Sequence, residues 1–157
     1  MRECSPRELA INLAALKSKL ASRKIPHAIV VGADQTLGFK GKVFDKPNSL
    51  DDARQQLMTF RNNTHSLYSA LTCSIAGEPI WSFCDEAKLT MRNFSNAFLS
   101  QYLTQIFHTY SSSVGGYKLE ETGINLFDKI EGDYFTILGL PLLPLLDFFR
   151  QRQIILS

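Results

Sequence analysis

Residues 27–47 read HAIVVGADQTLGFKGKVFDKP. Residues 28–31 are apolar and rich in β-branched side chains, Gly32 and Ala33 follow, and then comes an acid, Asp34. A run of this kind predicts a buried strand. Asp34 then falls where the strand leaves the core, a usual place for a working carboxylate in an α/β fold. Lys46-Pro47 lies twelve positions further on, with Gly38 and Gly41 between. That interval predicts a hairpin whose return brings the Lys46 ammonium toward Asp34. A carboxylate and a lysine beside a sheet edge suit a phosphate and a metal. The same spacing also suits a surface acid and a surface lysine with no shared role.

Upstream, Ser5-Pro6-Arg7-Glu8 predicts a helix start, with Ser5 as N-cap, Pro6 in the first turn and Glu8 closing a capping box. Leu9, Leu13, Leu16 and Leu20 recur at helical spacing and predict its buried face. Lys17 lies on the same helix, where a lysine is ordinarily a solvated charge.

Downstream, Ser49 predicts the cap of a second helix with Ala53, Leu57 and Phe60 facing the core. Residues 64–75 and 79–91 predict an antiparallel hairpin. Asp85-Glu86 interrupts the alternation of its second strand, where a bulge is expected. Ser95 caps a third helix with a stripe through Phe98, Leu99, Tyr102, Leu103 and Ile106. Gly115-Gly116 allows a tight turn or a close backbone approach to a ligand. Residues 124–130 and 134–138 read as short strands, and residues 140–151 as a closing helix. Helices and strands in this order predict an α/β or α+β domain with a mixed sheet.

A chain of 157 residues is long enough for one domain with a real core, taken as residues 1–157. With 45% hydrophobic and 20% charged residues it should be globular. A net charge of +2, evenly spread, argues for no nucleic-acid partner. Cys4, Cys73 and Cys84 have no metal-ligand spacing, and their odd number fits a reducing cytoplasm. The longest greasy run, residues 137–146, is broken by Pro141 and Pro144 and is too short to span a bilayer.

Five blocks give the chain a resemblance. VVGADQT (30–36), DKP (45–47), DDARQQL (51–57) followed by NTH (63–65), VGGYKLEETG (114–123) and KIEGDYFTILGLPL (129–142) resemble, in order and spacing, the Maf family of nucleoside triphosphate pyrophosphatases. The resemblance covers essentially the whole chain. It implies a mixed sheet with flanking helices around a central nucleotide cleft. It implies hydrolysis between the α- and β-phosphates of a nucleotide, giving a monophosphate and pyrophosphate, with a divalent metal, Mg²⁺ or Mn²⁺. It also implies a catalytic role for Asp34, activating water or holding the metal. Lys46 and Lys17 become phosphate contacts, and Glu120 a cleft residue for substrate or metal. Such chemistry needs these types, because a triphosphate must have its charge screened before water attacks phosphorus.

Other matches carry less. His65 sits in the NTH block but reads as a hydrogen-bonded histidine at a strand start. Asp133 and Tyr134 match the last block, and Gln35 and Thr36 flank the site. In this family Glu at position 120 resembles the 7-methylguanine enzymes, whereas Tyr134 resembles the pyrimidine type. The family is commonly dimeric, which implies a homodimer here.

One departure counts against activity. Maf proteins open with a strand running into an S-x-x-R loop that wraps the phosphates. Here the chain begins at the helix, and Ser5-Pro6-Arg7 is a cap rather than that loop. The expectation is a shortened start without the first strand and arginine clamp, leaving apolar surface and a sheet edge exposed. The alternative function is therefore a catalytically weak or inactive protein that binds nucleotide or a partner.

Overall fold

A cap on the first helix fixes where the chain enters the fold. In the computed structural model, which describes residues 4–156, Ser5 and Glu8 form the expected capping box at the start of α1 (Pro6–Lys24). Ser5 Oγ accepts from the Glu8 amide at 3.3 Å, and the Glu8 carboxylate accepts from the Ser5 amide at 2.9 Å. The chain continues through β1 (Val30–Phe39), β2 (Lys42–Phe44) and α2 (Leu50–Phe60) to the long hairpin β3 (Thr64–Ile75) and β4 (Glu78–Met91). Next come α3 (Asn96–Gln105), two 3₁₀ turns, β5 (Phe127–Glu131), α4 (Tyr134–Ile137) and α5 (Leu142–Gln151).

The strands form one five-stranded sheet in the order β2-β1-β3-β4-β5. The helix-flanked sheet is the expected architecture, and its pairing is antiparallel throughout rather than mixed. One face carries the main core, in which Leu37, Phe60, Leu67, Leu89, Leu99 and Leu126 are buried. At one end Leu71, Cys73, Leu145 and Phe148 form a smaller cluster, with Trp81 stacked on Phe148. The other face carries α1, and Ala10, Ala14 and Ala70 meet there.

The leucine spacing misidentifies the buried side of α1. Leu16 and Leu20 are 51% and 50% exposed, and the buried stripe is Pro6, Ala10, Ala14, Ser18 and Ser22. The reason is the distance of approach. A Cβ on Gly32 of β1 would lie 2.3 Å from the Ala14 carbonyl oxygen and 2.5 Å from the Ser18 nitrogen. Only small residues let a helix backbone come that near a strand. Two of them also bond across the contact. Ser18 Oγ donates to the Val30 carbonyl, and Ser22 Oγ accepts from the Gly77 amide, each at 2.9 Å.

β1 also differs from expectation. Residues 28–31 are half-buried or exposed, and the core positions of the strand are Leu37 and Phe39. The ladder with β3 is continuous from Val30–Ser74 to Gly38–Ser66, so Asp34 sits in mid-strand, opposite Ala70. β2 covers only Leu37 to Phe39. Upstream of that, the far edge of β1 pairs with no strand among the described residues.

Two smaller expectations fail for local reasons. The β3–β4 ladder is regular at Asp85-Glu86, and its register shifts fall at Cys73/Ser74 instead. Asp85 and Glu86 simply face opposite ways, Asp85 toward Thr136 and Glu86 toward Ser66 and Tyr68, and each finds a donor. Residues 134–137 are a helical turn, not a strand, because Asp133 caps it by accepting from the Thr136 amide at 3.0 Å. No helix of the described residues is long and apolar enough to cross a membrane.

Candidate active site

The uncovered edge of β1 is where the chemistry collects. Lys17 projects from the solvent side of α1, and its ammonium contacts the Asp34 carboxylate. It also donates to the Ala33 carbonyl at 3.3 Å, occupying an acceptor on β1. The Lys17 side chain is 57% exposed and that of Asp34 12%, so the pair meets solvent from the Lys17 side.

The hairpin does what its glycines predict. β1 turns at Lys40-Gly41, both with positive φ, and returns as β2 with Leu37 opposite Phe44. The chain leaving β2 carries Lys46 to the rim of a cleft of about 400 Å³ that Lys17 and Asp34 also line. Three residues far apart in sequence thus share one cleft. Its apolar wall is made by Leu9, Leu13 and Phe44. The leucine spacing did mark two of these, but as core rather than as cleft. Asp45 adds a second acid at the rim.

Glu120 stands elsewhere. It lines a smaller pocket of about 70 Å³ with Lys118, Ile137 and Leu138, and it is exposed. The two cavities share Gln35 and Val114 as common wall. Gln35 follows Asp34 on the strand and therefore points to the opposite face. There its Nε2 lies 2.9 Å from Ser69 Oγ, 3.1 Å from the Thr136 carbonyl and 2.9 Å from the Ile137 carbonyl.

The segment over both cavities is held from below. Gly115 and Gly116 have φ of 75° and 69°, a region that β-branched residues avoid. Tyr102 donates its hydroxyl to the Gly116 carbonyl at 3.3 Å, and Ser113 Oγ donates to the Tyr117 carbonyl at 2.5 Å. The Tyr117 hydroxyl and His65 Nε2 are 2.6 Å apart in the core. Burial lowers the His65 pKa to about 4 and raises that of the Tyr117 phenol. His65 is thus a neutral, hydrogen-bonded core histidine that anchors the 114–120 segment, as its place in the sequence suggests. His65 Nδ1 has no partner among the described residues.

Among the described residues, no three His, Cys, Asp or Glu side chains gather as a metal cage. Magnesium needs none, because it commonly takes one or two protein carboxylates and completes its shell with water and phosphate oxygens. Asp34 fits that part, with its carboxyl at the cleft. Glu120 lines the adjoining pocket rather than this cleft.

The model of the Maf-like protein family matches residues 2–152. The chain is 50% identical over 148 residues to a nucleoside triphosphate pyrophosphatase of Caulobacter vibrioides, covering 94% of this chain and 74% of the relative. It is 47% identical over 149 residues to a nucleoside triphosphate pyrophosphatase of Granulibacter bethesdensis, covering 95% and 76%. It is 43% identical over 151 residues to a 7-methyl-GTP pyrophosphatase of Brucella suis, covering 96% and 76%. With a family match across nearly its whole length and identities this high, the chain belongs to the Maf-like family.

Proposed function

We infer that this chain is a nucleoside triphosphate pyrophosphatase, a hydrolase that cleaves the α–β phosphoanhydride bond of a nucleotide and releases the monophosphate and pyrophosphate. The observation that carries the reading is the meeting of Lys17, Asp34 and Lys46 in one cleft of a Maf-like chain. Lys17 and Lys46 neutralise the phosphates, and Asp34 orients the water that attacks the α-phosphorus. Pyrophosphate is the leaving group. When bound, a divalent cation, Mg²⁺ or Mn²⁺, supplies further charge neutralisation, and Asp34 is the carboxylate that would hold it. Glu120 serves the nucleoside end from the adjoining pocket. A carboxylate there favours a base that carries positive charge, as 7-methylguanine does.

The free thiols of Cys4, Cys73 and Cys84 support a reducing, cytoplasmic setting. A homodimer is the proposed assembly, and light scattering decides it. Pyrophosphate release measured against a nucleotide panel, with Mg²⁺ or Mn²⁺, tests the activity. Release from no member of the panel would refute it.

A second reading rests on the cations of the cleft. Lys17 and Lys46 are the cationic side chains that line it, and no arginine does so among the described residues. A lysine is a point charge and does not replace a bidentate guanidinium. This favours weak turnover or nucleotide binding without turnover. Single-turnover kinetics at saturating protein separates the two.

A further inference from the structure

Thr136 is fully buried, and nothing in the cleavage chemistry uses it. It nevertheless bonds to four side chains beside the two cavities. Its amide donates to Asp133 Oδ1 at 3.0 Å. Its hydroxyl donates to Asp85 Oδ2 at 2.8 Å. Its carbonyl accepts from Ser69 Oγ at 2.6 Å and lies 3.1 Å from Gln35 Nε2. Gln35 Nε2 also reaches the Ile137 carbonyl. Four side chains, on β1, β3, β4 and the loop before α4, thus hold one residue.

The two residues after Thr136 account for this anchoring. Ile137 and Leu138 form the apolar wall of the pocket that Glu120 lines. They lie at the end of a four-residue helix, far too short to be stable alone. Downstream, Gly139 has φ +97°, so the chain turns away at once. Ile137 packs into the main core, whereas Leu138 is exposed, so the outer part of the wall takes its place from the anchored Thr136. Asp85 is the member that reaches the Thr136 hydroxyl. As a carboxylate accepting from a buried hydroxyl, it makes the stronger, charge-assisted kind of bond.

The geometry points to Thr136 and Asp85 as positioning residues that set the Ile137–Leu138 wall, and with it recognition of the nucleoside part of the substrate rather than of its phosphates. This rests on the proposed pyrophosphatase reading, with the nucleoside reaching toward the Glu120 pocket. Asp34 is on the same strand as Gln35 but faces the other side of the sheet. None of Thr136, Ile137 and Leu138 lines the cleft of Lys17, Asp34 and Lys46, so loosening the wall leaves those three residues in place.

The test compares Thr136→Val, which keeps the shape and removes the hydroxyl, with Thr136→Ser, which keeps the hydroxyl. Thr136→Val is expected to raise the KM for the best nucleotide by about tenfold, the scale of one lost charge-assisted bond, with kcat changed less. Inhibition by inorganic pyrophosphate, which touches only the phosphate end, should stay unchanged. Thr136→Ser, which still forms the charge-assisted bond, should remain near the parent, and Asp85→Asn, which keeps an acceptor but loses the charge, should fall between the parent and Thr136→Val. Asp85→Ala should resemble Thr136→Val, and the double variant Asp85→Ala/Thr136→Val should be little worse than either alone. An unchanged KM in Thr136→Val overturns the assignment. So does a parallel loss of pyrophosphate inhibition, because that marks general damage to the site. Hydrogen exchange provides an arm independent of activity. Amides of residues 137–139 should exchange faster in Thr136→Val, with the β1–β3 ladder unaltered. If the parent chain neither binds nor cleaves nucleotide, the functional reading fails, and unaltered exchange in the variant would then sink the positional one as well.

Discussion

Lys17 of α1 and Asp34 of β1 contact each other across the helix–sheet seam, at the edge of β1 that no strand covers among the described residues. The pair exists because α1 lies so close to β1. Small residues at Ala14 and Ser18, packed against Gly32, bring residue 17 within reach of residue 34. Without a substrate, the ammonium neutralises the acid.

Replacing Asp34 with Asn keeps the shape and removes the charge. Turnover should fall by a factor of ~10² or more, the scale of a lost general base. Stability should change little, since the partner is an exposed lysine and such pairs contribute little. Pyrophosphate release and thermal unfolding on the same preparation check both halves. Unchanged turnover would remove Asp34 from the mechanism.

Lys17 and Lys46 should matter to binding more than to folding. Each is exposed, and each lines the cleft proposed to take the phosphates. Lys17→Met and Lys46→Met are each expected to weaken binding of a non-hydrolysable triphosphate by roughly tenfold to a hundredfold. With Lys17 and Lys46 as the cationic side chains lining the cleft among the described residues, the parent should bind in the high micromolar range or weaker, and the affinity should fall further as salt rises. Calorimetric titration at two ionic strengths measures this. Tight, salt-insensitive binding would mean that the phosphates are held by other groups.

The site was legible in the sequence to the extent that local patterns carry it. Asp34 and Lys46 stand out because a hairpin with Gly41 at its turn returns one toward the other, and the structure has both at one cleft. The caps at Ser5, Ser49 and Ser95 were readable because a cap is a contact between residues three apart. The orientation of α1 was not. Its leucines and its small residues both repeat every three or four positions. The choice between them depends on Gly32, a residue outside the helix. Nor did the sequence announce Asp85, whose role depends on Thr136, 51 positions away and on another element. The same holds for α4, where β-favouring residues are overruled by the Asp133 cap.

The buried histidine makes stability depend on pH. His65 has a pKa of about 4 in the folded chain, lowered by burial from 6.5. Between those values the unfolded chain binds the proton more readily, so stability falls as the pH drops from about 6.5 to about 4. The stabilisation is complete above that window. The cost is on the order of 3 kcal/mol, from a span of roughly 2.5 pH units at about 1.36 kcal/mol each. Urea unfolding at a series of pH values should show this slope. In His65→Phe, which keeps a ring beside Phe60 and Phe127, the contribution of this group should vanish. An equal slope in both proteins would assign the acid sensitivity to other groups.

Gly32→Ala is the smallest change that should separate Lys17 from Asp34 without touching either. The new Cβ would sit 2.3 Å from the Ala14 carbonyl oxygen, 2.5 Å from the Ser18 nitrogen and 2.7 Å from Ser18 Cβ. Two of these are backbone atoms, so no rotamer change relieves the clash, and α1 must shift as a body. The Ser18–Val30 bond lies beside the contact and would be disturbed with it. Overpacking of this kind costs about 1–3 kcal/mol, and more where backbone must move. Gly41→Ala is the control. Its Cβ meets nothing within 4 Å, although its φ of +77° is one that an L-residue adopts at a cost of roughly 1–2 kcal/mol. Both variants should therefore lose thermal stability, but only Gly32→Ala should also lose activity out of proportion at temperatures where it remains folded. Lys17 would then be displaced from the cleft while the hairpin carrying Lys46 stays in place. Parallel loss of activity in both variants would show that general loosening, and not the seam between α1 and β1, controls the site.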